Sequence, residues 1–374
     1  MLSQDKKEYI NYIDSIRVRC FRSHKDIRLN PGNASVLIAG SNGVGKTSIL
    51  EAISIFSYGK GIRNAKFYDM ISKDRNSFLV DLSLQTNLNF SLEYKTFYNK
   101  ENKTRKTFVN DKEIPVNHIR KNIPMLWIAP YTEKIFAGPA NLRRSFVDRL
   151  VTIFDDQHAV RIAGYEKNLK QRSKLLKEKS SDVDWLDALE KQLARCSIAI
   201  SSSRFEVMNK LSKYLKKPIK KFPQIEINFD NSIERKINEI PALDLEEKLA
   251  INYFRNRDID SILGGSRVGC HKSDIEVKNL SLDLHAYMCS SGEQKSLLIS
   301  IILATANAFK DYAKKSPIIL LDEVFTHLDL EKKKNLLEKL NNLGSQIWVT
   351  ATEKETFFQN KKNFCYHYLT NSGL

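Results

Sequence analysis

The sequence predicts an α/β fold that is interrupted by a mostly helical second lobe. A short apolar strand over 35–39 runs into a glycine-rich turn and then into a helix over 47–56 that is apolar on one side. A second apolar run, over 317–321, ends in two carboxylates, as a buried parallel strand would. Between them, residues 141–215 carry apolar residues at helical spacing with almost no glycine or proline.

Composition indicates a globular protein that attracts polyanions. The 374 residues carry a formal net charge of +16, and 42% of them are hydrophobic, which is enough for one large core or two smaller ones. No uncharged apolar run reaches the roughly 20 residues that span a bilayer, and the first residues lack the order of a signal peptide. We therefore expect a cytoplasmic protein without a membrane partner. Nucleic acid is the leading candidate polyanion, although solvated lysine faces also produce a basic balance.

The cysteines indicate neither a disulfide framework nor a zinc site. They are odd in number, widely spread and contain no Cys-x-x-Cys pair. Reduced thiols are the expected state. The five positions are Cys20, Cys196, Cys270, Cys289 and Cys365.

Residues 77–114 alternate as strands do, and the polar turn 99–103 divides them, which predicts a hairpin. Its cations allow two interpretations, a ribbon that faces DNA or a solvated antiparallel face. They are Lys95, Lys100, Lys103, Arg105 and Lys106.

The helical stretch fits two or three antiparallel helices, with a break at Ser180, Ser181 and Asp182. A basic segment with a proline, 213–221, closes it, and strand patterns return at 224–229 and 274–277. The predicted organisation is an N-terminal part of the α/β lobe over 1–140, a helical insert over 141–221 and a C-terminal part over 222–374.

The glycine-rich turn matches the phosphate-binding P-loop pattern G-x-x-x-x-G-K-[ST] and lies between a strand and a helix, as the pattern requires. Lys46 is expected to reach the β- and γ-phosphates of ATP, and Thr47 to offer its hydroxyl to Mg²⁺. The predicted nucleotide-binding residues here are Gly40, Ser41, Asn42, Gly43, Val44, Gly45, Lys46, Thr47 and Ser48.

The two acids that end the apolar run complete this chemistry. Asp322 is expected to hold Mg²⁺ through water, together with Thr47. Glu323 is expected to orient or deprotonate the attacking water. Lys46, Asp322 and Glu323 are therefore the predicted catalytic residues.

A third motif decides the subclass. Ser290, Ser291, Gly292, Glu293 and Gln294 precede a helical run over 295–309 and, taken alone, are equally typical of a helix cap. They stand about 25 residues before the acid-ended strand, which Thr326-His327-Leu328-Asp329 follows. This order resembles the signature motif and D-loop of ABC-type ATPases. The resemblance implies an ABC-type P-loop ATPase head and an ATP-dependent homodimer, because in that family one subunit's signature turn caps the γ-phosphate held by another.

The order of the segments, a head split by a helical insertion, resembles the DNA-repair branch of these ATPases, and several blocks resemble the RecF family. They are Phe21-Arg22, 43–53, 138–148, 165–172 and 185–189. The resemblance implies dimerisation with ATP on gapped or junction DNA, single- and double-stranded, slow DNA-stimulated ATP hydrolysis, and help in loading RecA with RecO and RecR.

Three positions differ from the family pattern. Asp322-Glu323 replaces two aspartates, 269–274 matches Gly-Pro-His-Arg-Asp-Asp only in part, and 348–352 lacks the histidine of many ABC heads. Two other hypotheses stay open, another SMC-type or ABC-type repair head such as a nuclease subunit, and an ATP-sensing module with negligible hydrolysis. The nuclease hypothesis is disfavoured because no long heptad arm or Cys-x-x-Cys hook separates the two halves.

Overall fold

The computed structural model describes residues 11–370, except 58, 60, 87–89, 179–181, 220, 231–232, 327 and 353–363. Contacts divide the chain into two compact units. Unit 1 comprises the described residues within Met1–Lys134, Pro218–Pro223 and Ser290–Leu374. Unit 2 comprises those within Ile135–Lys217 and Gln224–Cys289.

Unit 1 contains most of the strands, and helices predominate in unit 2. The strands are β1 (Asn11–Phe21), β2 (His24–Leu29), β3 (Ser35–Gly40), β4 (Ser77–Thr86), β5 (Ser91–Asn99), β6 (Thr104–Val109), β7 (Lys112–Glu113), β8 (Met125–Ile128), β9 (Ile225–Asp230), β10 (Asp274–Asn279), β11 (Leu284–His285), β12 (Ile318–Leu321), β13 (Ile347–Ala351) and β14 (Phe364–Leu369). The helices are α1 (Lys46–Ser54), α2 (Val116–Asn122), α3 (Ala140–Thr152), α4 (His158–Lys177), α5 (Val183–Leu215), α6 (Ile233–Lys236), α7 (Ala242–Arg255), α8 (Arg257–Leu263), α9 (Ser291–Ala313) and α10 (Leu330–Leu343). Within the described part of the chain, none of these helices is long and apolar enough to cross a membrane.

A five-stranded parallel sheet organises unit 1, with the strand order β14-β3-β13-β12-β8. The predicted buried strands before the P-loop and before the two acids are β3 and β12, and β13 lies between them. Val349 of β13 pairs with Leu37 on one side and with Leu321 on the other. Because parallel strands end at the same sheet edge, the P-loop and the two acids meet there.

A six-stranded antiparallel sheet, in the order β2-β1-β4-β5-β6-β7, completes unit 1. Its apolar face, helix α1 and one face of the parallel sheet enclose a single core that includes Phe21, Phe78 and Trp348. The side chain of Gln346 joins both sheets, since its amide accepts from the Ile13 N–H at 2.8 Å and donates to the Ile13 carbonyl at 3.0 Å. A buried amide that is hydrogen-bonded in this way helps to hold the two sheets in one position relative to each other.

The predicted hairpin over 77–114 is instead a meander of four strands, β4 to β7, in this sheet. Its cations are largely paired within the unit. Lys95 pairs with Asp111 at 2.9 Å and Lys106 with Glu113 at 3.2 Å. Arg105 donates to the Ile55 carbonyl at 2.8 Å. These partners favour the solvated-face interpretation over the DNA-facing ribbon.

Unit 2 extends beyond the predicted insert. Three helices, α3, α4 and α5, occupy the predicted helical stretch, and Asp182 caps α5 by accepting from the Trp185 N–H at 2.9 Å. Ser180 and Ser181, the rest of the predicted break, lie outside the described residues. Residues 224–289, which the sequence analysis placed with the α/β lobe, belong to unit 2 in the structure. The reason is burial, since Leu245 and Tyr253 of α7 enter the core built on α5.

Candidate functional site

The P-loop turns sharply between β3 and α1, as its glycines allow. Gly43 and Gly45 have φ angles of 88° and 93°, in the left-handed region that favours glycine. A Cβ atom at Gly45 would lie 2.4 Å from Ser23 Oγ and 2.5 Å from His24 Nε2. His24 Nε2 lies 2.9 Å from the Gly45 carbonyl, and burial lowers the pKa of His24. The neutral ring therefore donates to this carbonyl and holds the P-loop backbone at Gly45.

Lys46 is buried where the loop ends, as the first residue of α1. Its ammonium donates to the carbonyls of Gly40 and Ser41, each at 2.8 Å. Burial lowers the pKa of Lys46, and the charges of Glu323 and Asp322 oppose that shift. The cation thus lies between the loop and the two acids.

Asp322 meets the P-loop at the sheet edge. Its Oδ1 accepts from Thr47 Oγ1 at 2.8 Å and from Thr350 Oγ1 at 2.7 Å. Burial raises the pKa of Asp322, although both hydroxyl contacts oppose the shift. A hydroxyl and a carboxylate are the oxygen ligands that Mg²⁺ prefers, and a cation would stabilise the carboxylate that burial disfavours. The residues present therefore fit a Mg²⁺ site.

Thr350 is a candidate site residue that the sequence analysis did not include. It lies near the end of β13, in the segment 348–352 that lacks the histidine expected from the ABC-head pattern. Its hydroxyl contacts the Asp322 side chain and the Glu323 backbone. It donates to Asp322 and accepts from the Glu323 N–H at 3.0 Å. Its position at the carboxyl end of a strand adjacent to β12 was the only available signal.

Glu323 has an unusual backbone conformation, with a φ angle of 53°. A residue with a Cβ atom rarely occupies this region, and such strain persists where surrounding contacts determine it. The Glu323 N–H is held by Thr350, and its carbonyl accepts from Lys295 Nζ at 3.1 Å and from the Thr326 hydroxyl. The turn after β12 therefore directs the Glu323 side chain into the cleft that the P-loop borders.

This cleft has a volume of about 520 Å³. Besides the P-loop and Glu323, it is lined by two arginines that the sequence analysis did not predict as site residues, Arg22 and Arg63. Arg22 donates to both carboxylate oxygens of buried Glu51, at 2.8 and 2.6 Å, and Arg63 Nη1 lies 3.6 Å from Glu51. Two guanidinium groups share the Glu51 carboxylate, and the acids Asp69 and Glu323 also line the cleft, so cations and carboxylates lie side by side there.

The signature residues form the start of α9, and none of 290–294 is among the described residues that line the cleft. Ser290 is the N-cap: its Oγ accepts from the Glu293 N–H at 3.4 Å, and the Glu293 carboxylate accepts from the Ser290 N–H at 2.7 Å. The helix begins at Ser291, so the predicted start near residue 295 was wrong. The Ser-x-x-Glu spacing of a capping box was the signal for this earlier start.

The segment after Glu323 leads into α10. Asp329 caps that helix by accepting from the Lys332 N–H at 2.7 Å. His327 of the predicted D-loop lies outside the described residues. Thr326, by contrast, contacts the Glu323 carbonyl and the buried ammonium of Lys295. These contacts connect the D-loop to the signature helix within unit 1.

In unit 2, the block 138–148 binds the segment 269–274. Arg143 donates to both carboxylate oxygens of Asp274, at 2.8 and 2.7 Å, and Arg144 donates to the Ser273 carbonyl at 2.7 Å. The block 138–148, which resembles the RecF family, and the segment 269–274, which matches the family pattern only in part, are therefore in direct contact. Bidentate arginine–carboxylate pairs of this kind impose one geometry on the segments they join.

A buried ion network continues from the same block. Arg204 donates to both oxygens of Asp148, at 2.8 and 2.9 Å, and to Glu234 at 3.2 Å. Although burial opposes it, Arg204 and His158 hold the pKa of Asp148 below its usual value. Ser273 donates to the second oxygen of Glu234 at 2.7 Å. The network anchors 269–274 to α5.

Comparison with known proteins agrees with this arrangement. The model of the RecF/RecN/SMC N-terminal domain family matches residues 12–372. A Rickettsia felis protein named DNA replication and repair protein RecF is 36% identical over 349 residues, which cover 92% of this chain and 94% of that protein. The protein of the same name from Rickettsia rickettsii strain Sheila Smith is 35% identical over 344 residues, 92% of this chain and 95% of that protein.

Solved structures agree on the fold. A structure of the recombination mediator protein RecF-ATP in the RecFOR pathway has a TM-score of 0.82 at 24% identity, with 95% of each chain covered. A structure of the SMC head bound to the C-winged helix domain of ScpA has a TM-score of 0.51 at 15% identity, covering 95% of this chain and 93% of that chain. At these identities the likeness shows the ABC-type head fold with its helical second unit. Taken with the family model and the curated relatives, it leads to one assignment: this chain belongs to the RecF family.

Proposed function

We propose that this chain binds Mg-ATP in the cleft beside the P-loop, dimerises around it on DNA, and acts in recombinational gap repair. One observation carries the proposal: Thr47 and Asp322, which are 275 positions apart in the sequence, meet at 2.8 Å beside Lys46 and Glu323. Family membership supports the DNA-repair role, because the curated relatives are named DNA replication and repair proteins.

Nucleotide binding follows from the chemistry of the loop. Lys46 donates to two neutral carbonyls of its own loop. Phosphate oxygens carry charge and are stronger acceptors, so the ammonium exchanges its partners for the β- and γ-phosphates when ATP enters. The turned backbone and the start of α1 add further positive potential. Arg22 and Arg63, which share the Glu51 carboxylate, also line the cleft.

Hydrolysis requires a positioned water and neutralised phosphates. When bound, Mg²⁺ reduces the charge on the β- and γ-phosphate oxygens, and Thr47 and Asp322 are the residues that would hold it. The Glu323 carboxylate orients the water and accepts its proton. Glu323 supplies a longer side chain than the second aspartate usual in the family. We expect slow turnover, with ATP serving as a clamp that closes on DNA and opens after hydrolysis.

The signature turn supports the dimer. Ser290 and Ser291 are exposed, Gly292 and Glu293 are half-buried, and α9 directs its N-terminal end toward solvent. An exposed helix N-terminus with a serine cap suits a γ-phosphate presented by a second copy. Because the turn does not border its own chain's cleft, the contact we propose is made in trans.

DNA is the proposed polyanion. The formal charge of +16 supports phosphate-backbone binding with little base preference. Gaps and junctions between single- and double-stranded DNA are the proposed targets. RecO and RecR are the proposed partners in loading RecA, a role that rests on family membership.

The test is size-exclusion chromatography with light scattering in ADP, in ATP, and in ATP with a gapped duplex. We expect a mass near the 43.1 kDa monomer with ADP and about twice that with ATP, with DNA favouring the dimer further. A monomer under all three conditions contradicts the proposal. Phosphate release, measured with and without DNA, separates a slow ATPase from a module that only senses ATP.

A further inference from the structure

Lys295 is a buried lysine that directly follows the signature pentad, and only 2% of its surface is exposed. Its ammonium pairs with the Glu133 carboxylate at 2.9 Å. It also donates to the carbonyl of Glu323 at 3.1 Å, and lies 3.0 Å from both the carbonyl and the hydroxyl of Thr326. All of these residues belong to unit 1. A buried ammonium must direct its three N–H donors at nearby acceptors, because leaving one unpaired is costly. These acceptors therefore hold the Lys295 side chain in one position.

The acceptors belong to the turn that positions Glu323. That residue is held in the left-handed region, and two of the contacts that hold its carbonyl come from Lys295 and from the Thr326 hydroxyl. A residue in a sparsely populated backbone conformation keeps that conformation only while its neighbours hold it. Loss of the ammonium removes one of the four groups that bind the Glu323 backbone among the described residues, the others being the Thr350 hydroxyl and the hydroxyl and N–H of Thr326.

The same lysine lies on the first turns of α9, whose N-cap is Ser290. A helix transmits displacement along its axis as a rigid element. Movement of the signature turn toward a nucleotide therefore moves the Lys295 ammonium, and with it the Glu323 carbonyl. Glu133, in the short 3-10 helix Pro130–Lys134 after β8, supplies the counter-charge that keeps the ammonium buried.

We propose that Lys295 is a positioning residue that couples engagement of the signature turn to the placement of the Glu323 carboxylate. The proposal rests on the proposed function, since it assigns Lys295 a role in the turnover of ATP at that site. Lys295 does not border the cleft among its described lining residues, so it acts through Glu323 and leaves nucleotide affinity unchanged.

The test compares Lys295→Met with Lys310→Met. Lys310 is the matched control because it lies on the same helix, and its ammonium donates to the Leu343 carbonyl at 2.8 Å, near the helix end opposite the signature turn. We expect Lys295→Met to lower kcat for ATP about 10- to 100-fold while KM and ATP affinity stay within about twofold, since misplacement of a catalytic group has effects of that size. Lys310→Met should match the wild type in kcat and KM. Melting temperatures are measured for both.

The activities of the wild type and of Lys295→Met distinguish failure of the proposed function from failure of this proposal. A wild-type protein that releases no more phosphate than Lys46→Ala contradicts the slow hydrolysis in the proposed function, and this proposal with it, whereas the light-scattering test of the dimer is unaffected. An active wild type with a fully active Lys295→Met overturns this proposal alone, as does a rise in KM without a fall in kcat. If Lys295→Met fails to fold, Lys295→Gln replaces it, because glutamine removes the ammonium but leaves a polar group for the buried acceptors. The same fall in kcat is then expected, and wild-type turnover overturns the proposal.

Discussion

Replacing His271 with glutamine should remove one measurable contribution to the acid sensitivity of this protein. His271 Nε2 donates to the Ser266 carbonyl at 3.0 Å, so Nδ1 is the acceptor, and it accepts from the Tyr165 hydroxyl. Tyr165 in turn lies 3.1 Å from the Tyr253 hydroxyl. Burial lowers the pKa of His271 to about 4, from an ordinary value of about 6.5.

The direction of the effect follows from proton linkage. The folded protein holds His271 neutral to lower pH than the unfolded chain does, so the unfolded chain binds more protons between about pH 6.5 and pH 4. The contribution of His271 to stability is therefore complete above about pH 6.5, and it is lost as the pH falls through that window. From the two pKa values, the loss between pH 8 and pH 5 is about 2 kcal/mol of the free energy of unfolding.

The assay is urea unfolding followed by far-ultraviolet circular dichroism at pH 8 and at pH 5. His271→Gln should lose about 2 kcal/mol less than the wild type on acidification, whatever it costs at pH 8, because glutamine does not titrate. His118→Gln, at an exposed position, controls for the exchange of a histidine for a glutamine as such. His24 and His367, whose pKa values burial also lowers, are unchanged in both variants. A His271→Gln protein with the full wild-type loss refutes the reasoning.

Four further predictions concern the nucleotide and DNA. Lys46→Ala should weaken ATP binding about 10- to 100-fold in a fluorescent-nucleotide titration, since it removes charged hydrogen bonds to phosphate, and it should abolish the ATP-dependent dimer; unchanged affinity would contradict the P-loop assignment. Glu323→Gln should keep ATP affinity, slow phosphate release about 10²- to 10⁴-fold and trap the dimer, because the amide cannot take a proton; wild-type release would place the base elsewhere. Ser290→Arg should spare ATP binding by the monomer and block dimerisation, and mixing it with Lys46→Ala should restore some ATP-dependent association through one complete site. If Ser290→Arg abolishes monomer binding, the turn acts in cis. The logarithm of DNA affinity should fall linearly with the logarithm of salt concentration, and a flat response would indicate a protein as the main polyanion.

The sequence determined the parts of the site that depend on neighbours along the chain. A P-loop is recognisable because its glycines, its lysine and its threonine act within one turn between a strand and a helix. The acids after β12 are recognisable because an apolar run predicts the buried strand that presents them. The order of these motifs around a helical stretch was sufficient for the ABC-type head and for the resemblance to the RecF family, which the comparisons confirmed.

The tertiary structure alone decided which distant side chains meet. Thr350 and Lys295 carry no motif that marks them as partners of Asp322 and Glu323, and their contacts arise because β13 lies beside β12 and α9 packs next to the turn that follows it. Residues 224–289 join unit 2 for a similar reason. The sequence of an amphipathic helix such as α7 shows that one face is buried, but it does not show which surface covers that face. Local patterns report hydrogen bonding and periodicity within about one or two turns or strands. The burial that orients a charged side chain depends instead on which elements pack together, and those elements are tens to hundreds of residues apart in sequence.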